Sequence, residues 1–570
     1  MPWWRADEPT QVARTLVSRA GECACLILLG PVEPGSCCPL GYQDQHAARS
    51  ATITQKSSTM AGSTTLGTNM IRFCLLSILF SVLSLPCDRC RLNAADDRPN
   101  IVLIMADDMG FSDIGCYGGE IATPNIDALA ARGMRFRNFY NNAKCELTRA
   151  SLLTGHWWHH VGASATARYS EPTYGERMRE AGYRTLMTGK WHAGQTPFQR
   201  GFDRHYGLTD GCCNFWNPGH ARDGEPEPAK KKVRRWAIDD QEFLPYQPPH
   251  DDFYTTDAFT DYALKYLDEY KDEDQPFLLY VAYTAPHYPM HASEEDIARY
   301  RGKYGAIGWD ELRRQRFARQ QQLGVLSPHA ELSPRDPDLP AWRDIPATER
   351  DDWDLRMATY AAMIDRMDRN IGRIVDKLRD NGELENTAIF FLSDNGACED
   401  SADRSTVAGA KPWEVTSFQT QGRNWANASN TPYRKYKTTD YEGGTRTPMI
   451  AVWPGVTEPG SITDRVGHLI DFMPTMLEFA QAPPVDGLPG NALQPALSGA
   501  STSRSWPLFW QFNRAKAMRD HNWKLVRYGN SDWELYDLDA DPTECVNLAA
   551  SQSDKVNDMA AQWQQWWQNK

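Results

Sequence analysis

Cys145 and Arg149 stand at the head of a short run, Ala150-Ser151-Leu152-Leu153, that closes at Thr154-Gly155. Ala150 to Leu153 can form a first helical turn with Cys145 and Arg149 at its entrance. A helix entrance carries partial positive charge and free backbone N–H groups, so it favours an anion. A lone cysteine is more often a small buried hydrophobe, and its company decides between the two. That company is Asp107-Asp108, Lys190 with His192, His287, Asp394-Asn395 and Lys437. Oxygen ligands from Asp107, Asp108, Asp394 and Asn395 suit a hard divalent cation, calcium or magnesium rather than zinc. Lys190, His192, His287, Lys437 and Arg149 supply positive charge and proton transfer for an anionic substrate. A nucleophile, a metal, cations around equatorial oxygens and an acid for the leaving group are the parts a sulfuryl or phosphoryl transfer requires.

Each group follows an element able to position it. Asn100 to Ala106 is a continuous apolar run that reads as a central parallel strand, and it ends in Asp107-Asp108. Two adjacent carboxylates at a buried strand end repel unless a cation lies between them, and ligand sites of open α/β sheets sit at such ends. Phe136 to Tyr140 reads as a short strand leading to Cys145. Thr185 to Thr188 leads to Lys190 and His192, whose spacing in extended chain points both the same way. Pro276 to Tyr283 leads to His287, and Thr387 to Ser393 leads to Asp394-Asn395. Lys437 lies in a Gly-rich loop before a strand at Met449 to Trp453. Helical patterns at Thr123 to Gly133, Tyr174 to Ala181, Asp257 to Tyr270, Met357 to Leu378 and Asp471 to Gln481 alternate with these strands. The expected fold is therefore α/β: a large mixed, mostly parallel sheet flanked by helices. Three short strands at 516–519, 523–528 and 533–538, with a last helix carrying Val556, Met559, Trp563 and Trp566, predict a smaller C-terminal antiparallel sheet plus helix.

The 570 residues allow a large core, and the net charge of −13 argues against a nucleic-acid partner. An acidic chain that handles anionic esters must build its positive field locally. Of the 13 cysteines, six follow residue 95 (Cys116, Cys145, Cys212, Cys213, Cys398 and Cys545), without the Cys-x-x-Cys spacing of a zinc site. Residues 1–69 lack apolar periodicity and read as a non-native or disordered extension. At 70–95, Arg72 precedes a run of about a dozen apolar residues, a secretory signal pattern too short for the about 20 residues of a stable membrane span. Met70 is the favoured start, and the chain is expected to be exported to the periplasm or outside the cell. The catalytic domain is expected at 98–485, with a polar, Pro-broken insertion at about 292–350, and a C-terminal subdomain at 500–570.

From Pro99 to the C-terminal helix the sequence resembles the type I sulfatases, members of the alkaline phosphatase superfamily, and in particular the larger bacterial arylsulfatases. The resemblance rests on Cys145, Arg149 and Leu153-Thr154-Gly155, then Asp107-Asp108, Gly189-Lys190-Trp191-His192, Ala285-Pro286-His287, Ser393-Asp394-Asn395-Gly396 and Lys437 before Glu442-Gly443-Gly444, in family order. Leu147 stands where that family carries Pro or Ala. The resemblance implies that Cys145 is converted to formylglycine, whose hydrate attacks sulfur. It implies one calcium ion held by Asp107, Asp108, Asp394, Asn395 and the modified Cys145. Arg149 and Lys190 would stabilise the nucleophile, His287 and Lys437 would bind sulfate and protonate the departing alcohol, and His192 would take the proton that lets the sulfated residue collapse.

The implied partners are a sulfated small molecule or sulfated glycan as substrate and a formylglycine-generating or other sulfatase-maturing enzyme. Three other readings stay open. One is a phosphonate monoester or phosphodiester hydrolase of the same superfamily. A second is a non-catalytic sulfated-glycan-binding relative with Cys145 unconverted, which only Leu147 favours. A two-zinc phosphatase would need more histidine ligands than these blocks offer.

Overall fold

A computed structural model describes residues 96–162, 169–230, 232–500, 504 and 507–569. The expected extension at 1–69 and signal peptide at 70–95 lie outside the described residues. Ten strands form one sheet: β1 (Asn100–Ala106), β2 (Met134–Tyr140), β3 (Arg184–Gly189), β4 (Arg204–Leu208), β5 (Trp236–Ile238), β6 (Gln241–Phe243), β7 (Phe277–Ala282), β8 (Thr387–Ser393), β9 (Met449–Val452) and β10 (Ser461–His468). Their order is β10-β2-β9-β8-β1-β7-β3-β4-β5-β6. The central block from β8 to β4 is parallel throughout, while β9, β5 and β6 bring in antiparallel pairs. The large, mostly parallel sheet flanked by helices is the fold expected from the apolar runs.

Those runs lack polar alternation because both faces of the sheet are covered. Along β1, Val102, Ile104 and Ala106 enter one hydrophobic cluster with the long helix Arg350–Asp380 and the helix Thr255–Glu269. Ile101, Leu103 and Met105 enter the other, with the helices Cys145–Thr154, Tyr174–Glu180 and Phe472–Phe479. Each fully buried aliphatic side chain contributes about 1.5–3 kcal/mol relative to exposure, so β1 is the axis of the core.

Register fixes the functional edge. Ala106 pairs with Ser393 and Met105 with Ala282, so β1, β8 and β7 end level with one another. β9 runs antiparallel to both β8 and β2, so β2 ends at that same edge and the chain before β9 starts there. Asp107, Asp394, His287, Lys190, Cys145 and Lys437 therefore leave the sheet on one side. Gly189 closes β3 with φ 102°, and a Cβ there would meet the Ala282 carbonyl oxygen at 1.9 Å. Only glycine lets β3 turn beside β7 at this point.

The small sheet has four strands: β11 (Leu508–Phe512), β12 (Ala515–Asp520), β13 (Trp523–Tyr528) and β14 (Glu534–Asp537), all antiparallel and covered by the helix Ser553–Gln568. β11 adds to the three expected strands. It follows directly on a turn-rich stretch and reads Leu-Phe-Trp-Gln-Phe without alternation. The stretch 292–350, expected as a polar insertion, contributes side chains to the core. Its polarity masks a narrow aromatic stripe, and Tyr304, Trp309, Leu312 and Trp342 are buried in the larger cluster. No helix among the described residues is long and apolar enough to cross a membrane.

Candidate active site

The helix carrying Cys145 starts at Cys145 itself, with extended Lys144 as its N-cap residue. The entrance thus lies one turn earlier than the apolar run suggested, and Arg149 sits inside the helix rather than at its mouth. Leu147 fits this first turn and is buried. Cys145 is 2% exposed, with the Lys144 ammonium 3.7 Å and the Glu146 carboxylate 4.0 Å from its sulfur. Burial pushes the thiol pKa up, but the Lys144, Lys190 and Lys437 ammoniums outweigh it and hold the thiol below its ordinary value.

Arg149 is fully buried. Its Nη1 donates to the Lys190 carbonyl at 2.7 Å and to the Tyr280 hydroxyl at 3.3 Å, and its Nη2 lies 3.2 Å from Asp394 Oδ2. It ties the exits of β3 and β8 to Tyr280 within β7, while its Nε has no hydrogen-bond partner. The Lys190 ammonium lies 2.6 Å from Asp107 Oδ2. Asp108 Oδ1 accepts from the Lys437 ammonium and, at 2.7 Å, from Asn395 Nδ2. Asp394 Oδ1 accepts from the Asp108 backbone N–H at 3.1 Å. His287 Nδ1 donates to the Tyr288 carbonyl at 2.6 Å, leaving Nε2 3.5 Å from Asp108 Oδ2.

His192 corrects one expectation. It does not extend β3 but has φ 62°, so Lys190 and His192 do not share one direction. Lys190 faces Asp107, and His192 Nε2 faces Glu146 Oε2 at 3.6 Å, beside Cys145. Strand alternation does not apply where the backbone has already turned.

The titrations separate these groups. Burial raises Asp107 against the pull of Lys190. Burial also acts on Asp108, but His287 and Lys437 override it and hold that carboxyl well below the usual range. Asp394 rises to about 6 through burial and the neighbouring Asp107, offset in part by Arg149. Burial drives both His192 and His287 far below the ordinary imidazole value, so each is neutral at neutral pH. Lys437 stays charged, because Asp108 overcomes the cost of its burial.

The donor set fits a hard cation. Asp107 Oδ1, Asp108 Oδ2 and Asn395 Oδ1 are buried and accept no hydrogen bond. Buried carboxylate and amide oxygens without partners are costly, and a cation among them removes that cost. Asp107, Asp108 and His287 place one potential ligand atom each within 4.8 Å of one another, as do Cys145, Glu146 and His192. Lys144 and Glu146, which flank Cys145, and Tyr280, which anchors Arg149, are residues of the candidate site that sequence reasoning missed. Proximity to Cys145 was the available signal for the first two. Nothing in the local sequence marks Tyr280, a residue of a buried strand.

Cations, carboxylates and a cysteine-headed helix thus gather at one edge of the large sheet. Residues 99–482 match the Sulfatase family, and residues 435–568 match the C-terminal region of N-sulphoglucosamine sulphohydrolase. A sulfatase of Schizosaccharomyces pombe is 32% identical over 540 residues, covering 82% of this chain and 93% of that one. The arylsulfatase of Klebsiella aerogenes is 33% identical over 458 residues, covering 74% and 95%. The crystal structure of Ps i-CgsB in complex with k-i-k-neocarrahexaose superposes with TM-score 0.61 at 25% identity, covering 83% of this chain and 94% of that one. The chain belongs to the sulfatase family, and its likeness to that family extends to the tertiary fold.

Proposed function

We propose that this chain hydrolyses sulfate monoesters, foremost those of sulfated sugars, using a formylglycine made from Cys145 and one calcium ion held by Asp107, Asp108, Asp394 and Asn395. The observation that carries this reading is the set of three partnerless buried oxygens beside a cysteine surrounded by Lys144, Lys190 and Lys437. The sugar preference draws on the k-i-k-neocarrahexaose in complex with a structural relative. Calcium rather than magnesium suits an all-protein oxygen set in an exported enzyme. Residues 70–95 would direct that export, 98–485 would form the catalytic domain and 500–570 the C-terminal subdomain.

Bound calcium would supply a fixed positive charge facing the ester oxygens, and formylglycine would supply a hydroxyl nucleophile at position 145. The protein's own residues provide the remainder. Lys190 and Lys437, both buried, would bring ammonium groups to the sulfate oxygens. Arg149 fixes Lys190 and Asp394 relative to the nucleophile's helix. His192, neutral and beside residue 145, is suited to accept the nucleophile's proton. Burial keeps His287 neutral, and a negative sulfate beside it would restore its proton before it serves as acid beside Lys437. A sulfatase-maturing enzyme would have to accept Leu147 in the recognition segment.

Sulfate release from sulfated monosaccharides and an aryl sulfate, set beside hydrolysis of an aryl phosphonate monoester and a phosphodiester, tests the proposal. Faster turnover of the phosphorus esters would move the assignment to the phosphonate branch. An intact Cys145 thiol in protein from a host with a sulfatase-maturing enzyme, with no turnover of any ester, would leave the binding-protein reading.

A further inference from the structure

Lys524 lies on β13 of the small sheet, far along the chain from every candidate catalytic group, and is fully buried. Its ammonium donates to Glu442 Oε1 at 2.7 Å and lies 3.0 Å from Glu544 Oε1. Glu544 Oε2 in turn accepts from the Glu442 backbone N–H at 2.9 Å. Glu442 Oε2 accepts from the Tyr140 hydroxyl at 2.8 Å and lies 3.3 Å from the Arg446 guanidinium. Two carboxylates thus meet the Lys524 and Arg446 cations, with the Arg519 guanidinium also acting on Glu442.

The network grips two segments. Glu442 ends the loop that carries Lys437, and Tyr140 ends β2, just before Asn141 to Lys144 lead into Cys145. The small sheet holds the second segment twice more, since Trp510 Nε1 donates to the Asn141 carbonyl at 2.6 Å and the Arg519 guanidinium donates to the Tyr140 hydroxyl. The two segments also meet directly, with the Thr438 N–H donating to the Ala143 carbonyl at 2.7 Å. A buried ion pair gains little stability over an apolar contact of the same shape, because desolvation cancels much of its attraction. What it adds is a fixed distance and direction.

We propose that Lys524 is a positioning residue that sets the Lys437 loop against the Cys145 helix from the C-terminal sheet. This rests on the reading of Lys437 as a sulfate-binding cation. The small sheet is then part of the catalytic apparatus without touching substrate, and a defect there reaches the reaction through loop placement.

The experiment compares Lys524→Met, Lys524→Arg, Glu544→Gln and Lys437→Ala in the full chain. It reads kcat and KM on an aryl sulfate, thermal midpoint, and formylglycine occupancy of the Cys145 peptide by mass spectrometry. At equal occupancy, Lys524→Met is expected to lower kcat about tenfold or more with little change in KM, and Lys524→Arg to recover most of it. Glu544→Gln keeps the shape and most of the fold, and is expected to lower kcat by about threefold. If Lys524→Met does not fold, Glu544→Gln decides alone. Wild-type kcat in both variants, with only the thermal midpoint lowered and with Lys437→Ala crippled, overturns the positioning role and spares the site assignment. Wild-type turnover by Lys437→Ala overturns the site assignment and the positioning role together.

Discussion

Lys190 Nζ lies 2.6 Å from Asp107 Oδ2, and both side chains are fully buried. The two residues leave β3 and β1, which are not neighbours but are joined through β7. Breaking a buried pair from one side leaves an uncompensated charge and costs about 3–5 kcal/mol. Lys190→Ala should therefore lower the thermal midpoint and cut kcat/KM on an aryl sulfate by about a hundredfold or more. Adding Asp107→Asn should restore much of the stability and none of the activity. A double variant that regains turnover would show the pair to be structural.

Cys145 is ringed by cations, and its helix directs free N–H groups toward the site. If it is the converted nucleophile, the peptide holding it should react with an aldehyde-directed hydrazide when the protein comes from a host with a sulfatase-maturing enzyme. Cys145→Ala should abolish both labelling and turnover while leaving the thermal midpoint close to that of the wild type. Labelling without turnover on any sulfate ester would separate maturation from catalysis and count against the assigned reaction.

The strand exits were legible because continuous apolar runs end abruptly in charge: Ala106 before Asp107, Ser393 before Asp394, Gly189 before Lys190. That pattern follows from a sheet buried on both faces, and it fixed the side on which the site lies. β10 was missed for the opposite reason. It is an edge strand reading Ser-Ile-Thr-Asp-Arg-Val-Gly-His, half exposed and without a run. Tyr280 gains meaning only from its tertiary approach to Arg149, and the pairing of Glu146 with His192 is likewise tertiary. The turn at His192 is likewise a backbone property, φ 62°, that residue spacing does not encode.

Asp107 Oδ1, Asp108 Oδ2 and Asn395 Oδ1 accept no hydrogen bond. A calcium ion bound there would stabilise the folded state by mass action, about 2.7 kcal/mol at a hundredfold excess over its dissociation constant. Calcium added to chelator-treated protein should raise the thermal midpoint, with magnesium raising it less. Asp108→Asn should shrink the calcium-dependent rise. A midpoint that ignores calcium in the wild type would remove the assigned ion, whatever the activity.

Asp440 offers a pH test away from the metal ligands. It is buried, neither carboxylate oxygen has a hydrogen-bond partner, and burial raises its pKa to about 8 against the pull of Lys524. In the unfolded chain the same group titrates near about 3.9. The folded state therefore holds a proton that the unfolded state has released, and the stability this group contributes is complete below about pH 4. It is lost as pH rises toward about 8, with a limiting slope of roughly 1.4 kcal/mol per pH unit. Asp440→Asn cannot ionise and escapes that loss. The thermal midpoint of Asp440→Asn minus that of the wild type should climb steadily between pH 5 and pH 8 and level off above that range. A difference that stays flat across the window would mean that Asp440 is already ionised in the folded protein, with Lys524 outweighing its burial.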